Sequence, residues 1–324
     1  DRKNGPVLLV VAVNGFPRGL NDLPVLYAQK KGLFGKHGLD AEIRVVSGGQ
    51  NMIAALLNGE AHICQNRAAG IVSAVAEGGD LAVVAISMPQ LPMYLVVRQE
   101  TAKPSDLAGQ KVVLTNEFGM AEMRRLFLKP LGLEEKDVTV LTIRNTFDRL
   151  AALESGAVAG ILLPPPAAMI AMEKGYPVLF DYIEKGISMP VTAGCTVTTR
   201  KFLEESPEGV DAFLRAVSEA TWMMKQDREG SIALMAEHFS LDPSANRAAL
   251  EANYRLAILD GLPVNPAFRP GLMSEVIRSV SEGNPKAARL TPEAVCETGP
   301  LQRLDAEGFF QKLGPLAETS KEKD

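Results

Sequence analysis

The sequence predicts an α/β protein of two lobes, each a mainly parallel sheet flanked by helices and joined to the other by two crossing segments. Three observations carry this. Short β-branched runs alternate with helical patterns, one strand–helix–strand passage occurs twice, and two segments beginning Ser-Met-Pro stand where the chain would pass between copies. Alternation of this kind produces βαβ units whose buried strands read as near-continuous apolar runs.

In order, the strand candidates are LLVVAV (8–13), AEIRVV (41–46), AHIC (61–64), LAVVAIS (81–87), KVVLT (111–115), DVTVLTI (137–143), AGILL (159–163) and PVLFDY (177–182). Between the first two, an amphipathic helix (PVLYAQKKG) is punctuated by Gly32, Gly35 and Gly38. Glycine past a helix end relieves the left-handed cap, and lysines in the last turn suit the negative end of the dipole. The repeat pairs GLDAEIRVVSGGQNMIAALLNGEAHIC with GLEEKDVTVLTIRNTFDRLAALESGAVAGIL, and Gly59 and Gly156 stand at matching distances from Ala54 and Ala151. SMPQLPMYLVVRQE leads out of the first copy and SMPVTAGCTVTTRKF (188–202) leads back, both extended and β-rich. Paired crossings of this kind build a hinged clamp. The predicted lobes are therefore 1–92 with 200–324, and 93–199, with flexing at 91–98 and 190–199. After Phe202 the chain is mainly helical, in PEGVDAFLRAVSEATWMMKQ, GSIALMAEHF, PSANRAALEANYRLAIL and RPGLMSEVIRSVSE, expected to pack on the first lobe. Trp222, beside Met223 and Met224, reads as packing.

Composition narrows the function. The chain has 324 residues, 46% hydrophobic, with a formal charge of −5. That length buries a large core, and the acidic balance (pI near 5.5) argues against a nucleic-acid surface. No apolar run approaches the ~20 residues of a membrane span. PVLLVVAV follows only residues 1–4 and precedes no A-x-A pattern, so it reads as a buried strand rather than a leader. The start at Asp1 suggests either processing or a trimmed sequence, so a leader or lipid anchor is left open. Cys64, Cys195 and Cys296 are widely spaced and imply neither a disulfide framework nor a metal site. Without a P-loop, G-x-G-x-x-G, H-E-x-x-H or nucleophile elbow, no cofactor, metal or catalytic residue is expected.

The succession LPVLYAQKKGLFGKHGLDAEIRVVSGGQNMIAALLNGEAHI, PSDLAGQKVVLTNEFG, GLEEKDVTVLTI, AALESGAVAGIL and ESPEGVDAFLRAVSEATWMM resembles the substrate-binding proteins of bacterial ABC importers in the NMT1-like, sulfonate–taurine–thiamine-precursor group. The resemblance spans roughly residues 8–224. It implies the type II periplasmic-binding-protein fold, a small molecule held in the interlobe cleft, delivery to a permease and its ATPase, a monomer, and a periplasmic or lipid-anchored extracellular location. At LLPPPAAM the chain departs from the family, whose members commonly carry an acidic residue and a single proline there.

Ligands of parallel α/β sheets sit beyond the carboxyl ends of strands, where helix N-termini offer free N–H groups. Six turns qualify: NGFPRGLND (14–22), SGGQN (47–51), QNR (65–67), TNEFGM (115–120), RNTFD (144–148) and LPPP (163–166). The expected ligand-binding residues are Asn14, Phe16, Arg18, Asn21, Ser47, Gly48, Gln50, Asn51, Gln65, Asn66, Arg67, Asn116, Phe118, Gly119, Met120, Asn145, Pro164 and Pro165. Arg18, Arg67 and Arg144 suit a carboxylate or sulfonate. Phe16 and Phe118 could close on an apolar body, and Gln65, Asn66, Asn116 and Asn145 offer neutral hydrogen bonds. Plainer roles compete. Ser47, Thr115 and Asn145 suit helix caps, the phenylalanines suit core packing, and Arg67 could pair with Glu60 or Asp22. An enzyme on the same scaffold, working through carboxylates such as Asp22, Glu117 or Asp148 on a heterocycle or organic acid, is one alternative. A ligand-sensing domain is another.

Overall fold

The computed structural model describes residues 6–15, 19–115, 121–143, 145–182, 184–186 and 194–316. The first sheet holds β1 (Val7–Asn14), β2 (Leu39–Val46), β3 (Ile63–Arg67), β4 (Ala82–Met88) and β10 (Gly194–Thr198), in the order β2-β1-β3-β10-β4. The second holds β5 (Tyr94–Val97), β6 (Lys111–Thr115), β7 (Thr139–Thr142), β8 (Gly160–Leu163) and β9 (Val178–Asp181), in the order β7-β6-β8-β5-β9. The two orders match when β6, β7 and β8 are laid on β1, β2 and β3. In both, these three strands are parallel and the fourth is antiparallel. That fourth strand is β10 in one sheet and β5 in the other, so each sheet receives a strand from a segment that has just crossed. The chain leaves the first sheet between β4 and β5 and returns between β9 and β10.

Helices fill the connections. In the first unit they are α1 (Leu23–Lys30), α2 (Leu33–Lys36), α3 (Gly49–Leu57) and α4 (Ala68–Ala76); in the second, α5 (Ala121–Leu128), α6 (Thr146–Glu154) and α7 (Ala167–Glu173). After β10 come α8 (Arg200–Glu205), α9 (Pro207–Gln226), α10 (Arg228–Phe239), α11 (Arg247–Asn253), α12 (Leu272–Ser281), α13 (Pro292–Val295), α14 (Gly299–Ala306) and α15 (Phe309–Lys312). Gly59 (φ 75°) and Gly156 (φ 73°) end α3 and α6 in the left-handed conformation that glycine adopts without strain, so the repeat in the sequence is a repeat of helix ends. Gly32 is left-handed as expected, whereas Gly35 lies inside α2.

Core packing explains the patterning. β1 is buried on both faces: Leu9, Val11 and Val13 meet α1 and α9, while Val10 and Ala12 meet α3, α4 and α12. β2 is an edge strand, and its outward Asp40, Glu42 and Arg44 alternate with Leu39, Ala41 and Ile43. The longest helix, α9, buries Val210, Phe213, Leu214, Val217 and Met224, and Phe213 stacks on Phe34 at 5.8 Å. Such i, i+3, i+4 spacing gives a helix one apolar stripe.

The structure corrects several expectations. QNR (65–67) belongs to β3 rather than a turn, paired against Thr196, Cys195 and Gly194 of β10. DVTVLTI opens with a 3₁₀ turn (Glu135–Asp137), leaving only Thr139–Thr142 as strand. The segment expected as one helix over 243–259 changes at Asn253 to a π-helical turn, Tyr254–Leu259. Its α11 bridges two cores, Ala249 packing with α7 and the second sheet while Leu250 joins the core of α9 and α10. Trp222 is half-exposed and donates to the Gly314 carbonyl at 3.2 Å. Among the described residues no helix is long and apolar enough to cross a membrane.

Candidate functional site

A cavity of about 400 Å³ opens where the carboxyl ends of the two sheets' parallel strands face each other. Gly15, Gly19, Leu20, Asn21, Arg67, Met88, Leu91 and Gly194 wall it from the first sheet's side. Asn145, Thr146, Phe147, Pro164, Pro165 and Pro166 wall it from the second, and Phe239 and Ser240 close it from the end of α10. Its size suits a small organic molecule, and Leu20, Met88, Leu91, Phe147 and Phe239 give it apolar walls with few polar groups.

Each polar wall residue is set by local geometry. Arg67 is the last residue of β3 and the residue before α4, whose first turn has no side-chain cap; the strand therefore delivers a guanidinium beside free helix N–H groups. Its own N–H donates to Asn66 Oδ1 at 2.8 Å, and Asn66 Nδ2 donates to the Gly49 carbonyl at 3.0 Å. Asn66 thus ties β3 to α3. Asn145 caps α6, its Oδ1 accepting from Phe147 N–H at 2.8 Å. Gly194 is tightly enclosed: a Cβ there would stand 3.1 Å from Asn21 Cβ and 3.3 Å from Met88 Cβ, so a side chain would press on both. The Gly19 carbonyl lies 3.1 Å from His238 Nε2 of α10, which anchors that loop.

Of the expected residues, Asn21, Arg67, Asn145, Pro164 and Pro165 line the cavity. Asn14 lies at the end of β1, where its Oδ1 accepts from Gly48 N–H at 3.2 Å. Ser47, Gln50 and Asn51 are exposed at the start of α3, Asn51 Nδ2 donating to the Ser47 carbonyl, and Gly48 rather than Ser47 occupies the cap position. Gln65 is buried within the sheet and donates to Thr196 Oγ1 at 3.0 Å. These residues and Asn66 lie outside the cavity lining. Phe16, Arg18, Asn116, Glu117, Phe118, Gly119, Met120 and Arg144 lie outside the described residues. Sequence reasoning did not name Gly15, Gly19, Leu20, Met88, Leu91, Thr146, Phe147, Pro166, Gly194, Phe239 and Ser240. Gly15, Gly19 and Leu20 in NGFPRGLND, Thr146 and Phe147 in RNTFD and Pro166 in LPPP carried a positional signal, and Met88, Leu91 and Gly194 lay in the crossing segments; Phe239 and Ser240 come from a helix end that the strand-end rule cannot reach.

Buried charge decides the electrostatics. Among the described residues, the buried charged side chains are Asp22, Arg149 and Glu219. Glu219 is matched by Lys36 and His37 (2.7 Å), well away from the cavity. Arg149, on α6, has no carboxylate in its described bonds: Nε donates to the Ile143 carbonyl at 2.8 Å and Nη1 to the Leu162 carbonyl at 2.9 Å. Burial, and after it the charge of Arg67, lowers its pKa to about 10. Two guanidinium groups therefore bear on one cleft. Asp22 has the opposite problem, since burial pushes its carboxyl up to about 8, with the Asn14 and Gly19 backbones and then Arg67 offsetting only part. At neutral pH this carboxyl is mostly uncharged and leaves the two cations uncancelled by it. Among the described residues no group of His, Cys, Asp and Glu could hold a metal.

The model of the NMT1/THI5-like family matches residues 20–230, more than half of the chain and most of both sheets. The chain belongs to the NMT1/THI5-like family. The taurine-binding periplasmic protein of Escherichia coli K12 is 25% identical over 303 residues, 90% of this chain and 84% of its own length. A second E. coli K12 relative, named for binding aliphatic sulfonates, is 26% identical over 197 residues; the match covers 60% of each chain. Among solved structures, the periplasmic aliphatic sulphonate binding protein SsuA of E. coli superposes with a TM-score of 0.69 at 21% identity, covering 90% of both chains. The desulfurization enzyme DSZB superposes at 0.67 with 14% identity, over 93% of this chain and 99% of its own. These likenesses establish a two-domain α/β fold of the periplasmic-binding-protein type.

Proposed function

We propose that this protein captures a small organic anion, a sulfonate or carboxylate with an apolar body, between two lobes outside the cytoplasm. It hands the ligand to the permease and ATPase of an ABC importer without transforming it. The observation that carries this is the pair of guanidiniums, Arg67 from the first sheet and Arg149 behind the second, bearing on one cavity whose nearest buried carboxyl is held neutral. An anion there gains from Arg67 directly, from the uncapped start of α4, and from the field of Arg149. The apolar walls take the remainder of the molecule. The names of the two E. coli relatives support the same ligand class.

In this reading the lobes are 1–92 with 200–324, and 93–199, β10 adding its strand to the first sheet as the chain returns. A ligand touching both walls binds the closed form better, and that difference in affinity drives closure.

Catalysis on this scaffold is the second reading, favoured by the fold of DSZB. Against it, Cys64 and Cys195 are buried with their thiol pKa values pushed up, Cys296 lies elsewhere, and the described cavity lining has hydroxyls (Thr146, Ser240) but no Cys, His, Asp, Glu or Lys. A thermal-shift screen over alkanesulfonates, taurine, aromatic and aliphatic carboxylates, neutral pyrimidines and amines tests the proposal. Stabilisation grows with the logarithm of ligand concentration above Kd. Anions alone should raise Tm, and mass spectrometry should recover them unchanged. Stabilisation by cations only, or recovery of a product, would refute the reading.

A further inference from the structure

Asp22 stands directly behind the cleft wall. It is fully buried, and although the Asn14 and Gly19 backbones and then Arg67 favour its charged form, no group makes a well-formed hydrogen bond to either carboxyl oxygen. Its Oδ2 lies 3.2 Å from where a Cβ on Gly19 would stand, so the carboxyl backs the Gly19–Asn21 stretch of the cavity lining. The neighbouring groups are few. Arg67 is the cation whose charge reaches it, the Cys64 thiol on β3 feels its charge, and His238 of α10 meets the Gly19 carbonyl above it. Asp227, where α10 begins, and Glu219 of α9 serve other partners, namely Tyr27 and Lys31, and Lys36 and His37.

We infer that an anion in this cleft holds Asp22 in its protonated form, taking up a proton on binding wherever that carboxyl is ionised, because ionised Asp22 and the bound anion compete for the same guanidinium, Arg67. The inference rests on the anion reading of the cleft. A buried carboxylate is tolerated only as far as nearby N–H groups and cations offset its desolvation, and for Asp22 the cationic part of that offset comes from Arg67. An anion arriving at Arg67 takes up that offset and adds repulsion of its own, so the carboxylate takes a proton from solvent and becomes the neutral acid. No other bond changes. Linkage is reciprocal, so removing the proton must weaken the anion's binding by the same factor. The group is poised for this, with its pKa already raised to about 8 before any anion arrives. Asp22 is thereby a specificity residue: below that pH the cleft favours anions, and above it the protein supplies its own competing charge.

The test uses ethanesulfonate, whose charge is constant across the range, titrated calorimetrically into the wild-type protein from pH 6.5 to 9.5. Affinity should be level at the acid end and fall above pH 8, approaching about tenfold per unit. At pH 8.5, binding heats in two buffers of different ionisation enthalpy should report uptake of a substantial fraction of one proton. Asp22→Asn should flatten the profile and abolish the uptake, while His238→Gln should keep both. A fall that persists in Asp22→Asn and vanishes in His238→Gln would overturn the inference. So would tight wild-type binding with a level profile and no uptake, which leaves the anion reading intact. Absence of binding at every pH would defeat that reading and this one with it. If Asp22→Asn does not fold, the wild-type proton count and the His238→Gln profile decide.

Discussion

Replacing Arg149 by methionine keeps the length of the side chain and removes everything polar. Two carbonyls, Ile143 and Leu162, lose donors at 2.8 and 2.9 Å. An orphaned buried acceptor costs about 1–3 kcal/mol. Removing a buried guanidinium that lacks a carboxylate partner returns part of that loss, since its desolvation is no longer required. The net destabilisation should be about 2–4 kcal/mol, read as a lower urea midpoint at unchanged m-value. Arg149→Lys keeps the charge but cannot reproduce the planar fork, so it should fall between methionine and wild type. Both carbonyls directly precede cavity turns, and Leu162 sits two residues before Pro164. Arg149→Met should therefore also weaken anion binding, through lost charge and loosened wall, whereas Arg149→Lys should retain more affinity. Unfolding of Arg149→Met within about 0.5 kcal/mol of wild type, the range of an ordinary surface substitution, would refute the reasoning.

Three further outcomes follow from the packing. Gly194→Ala places a methyl 3.1–3.3 Å from Asn21, Ser87 and Met88; it should cost about 1–3 kcal/mol in chemical denaturation and reduce ligand affinity, because two of those neighbours line the cavity. Phe213→Ala empties a fully buried ring site against Phe34 and should cost about 3–5 kcal/mol, lowering Tm without changing ligand preference. Asp22 holds its proton in the folded state up to about pH 8 but in the unfolded chain only to 3.8. Its stabilising contribution is complete below the lower value and is lost as pH rises through the higher one. Between them, wild-type stability should fall relative to Asp22→Asn by up to about 1.4 kcal/mol per pH unit, and a constant difference across pH 4–8 would contradict this.

The repeat was readable because helix ends are chemically distinctive. Gly59 and Gly156 carry the same left-handed turn, and the sequence around each predicts the same strand to follow. The long amphipathic stripe of α9 was equally plain. Strand direction was not: β5 and β10 are short and buried on both faces, so nothing in YLVV or GCTVT says which way each runs. QNR looked like a turn because polar residues rarely sit inside a strand. Gln65 and Asn66 do so because Thr196 and Gly49, distant in sequence, satisfy them. Arg67 was found by the rule of strand ends, while Arg149 was hidden in a helix of ordinary composition, where only the fold reveals that a guanidinium is buried. Asp22 read as a candidate partner for Arg67 or a cleft carboxylate. Its complete burial exists only once the surrounding elements are assembled around it.

The most direct test of an anion-capturing cleft is calorimetric titration of ethanesulfonate, with neutral and cationic compounds of similar size, into wild-type protein and Arg67→Ala at pH 7. The account predicts that wild type binds the sulfonate and not the others. Arg67→Ala should lose about 1.5–3 kcal/mol of that binding, the scale of a hydrogen bond to a charged group, while its unfolding is little changed. Preference for a neutral or cationic compound, at an affinity that Arg67→Ala leaves untouched, would contradict it.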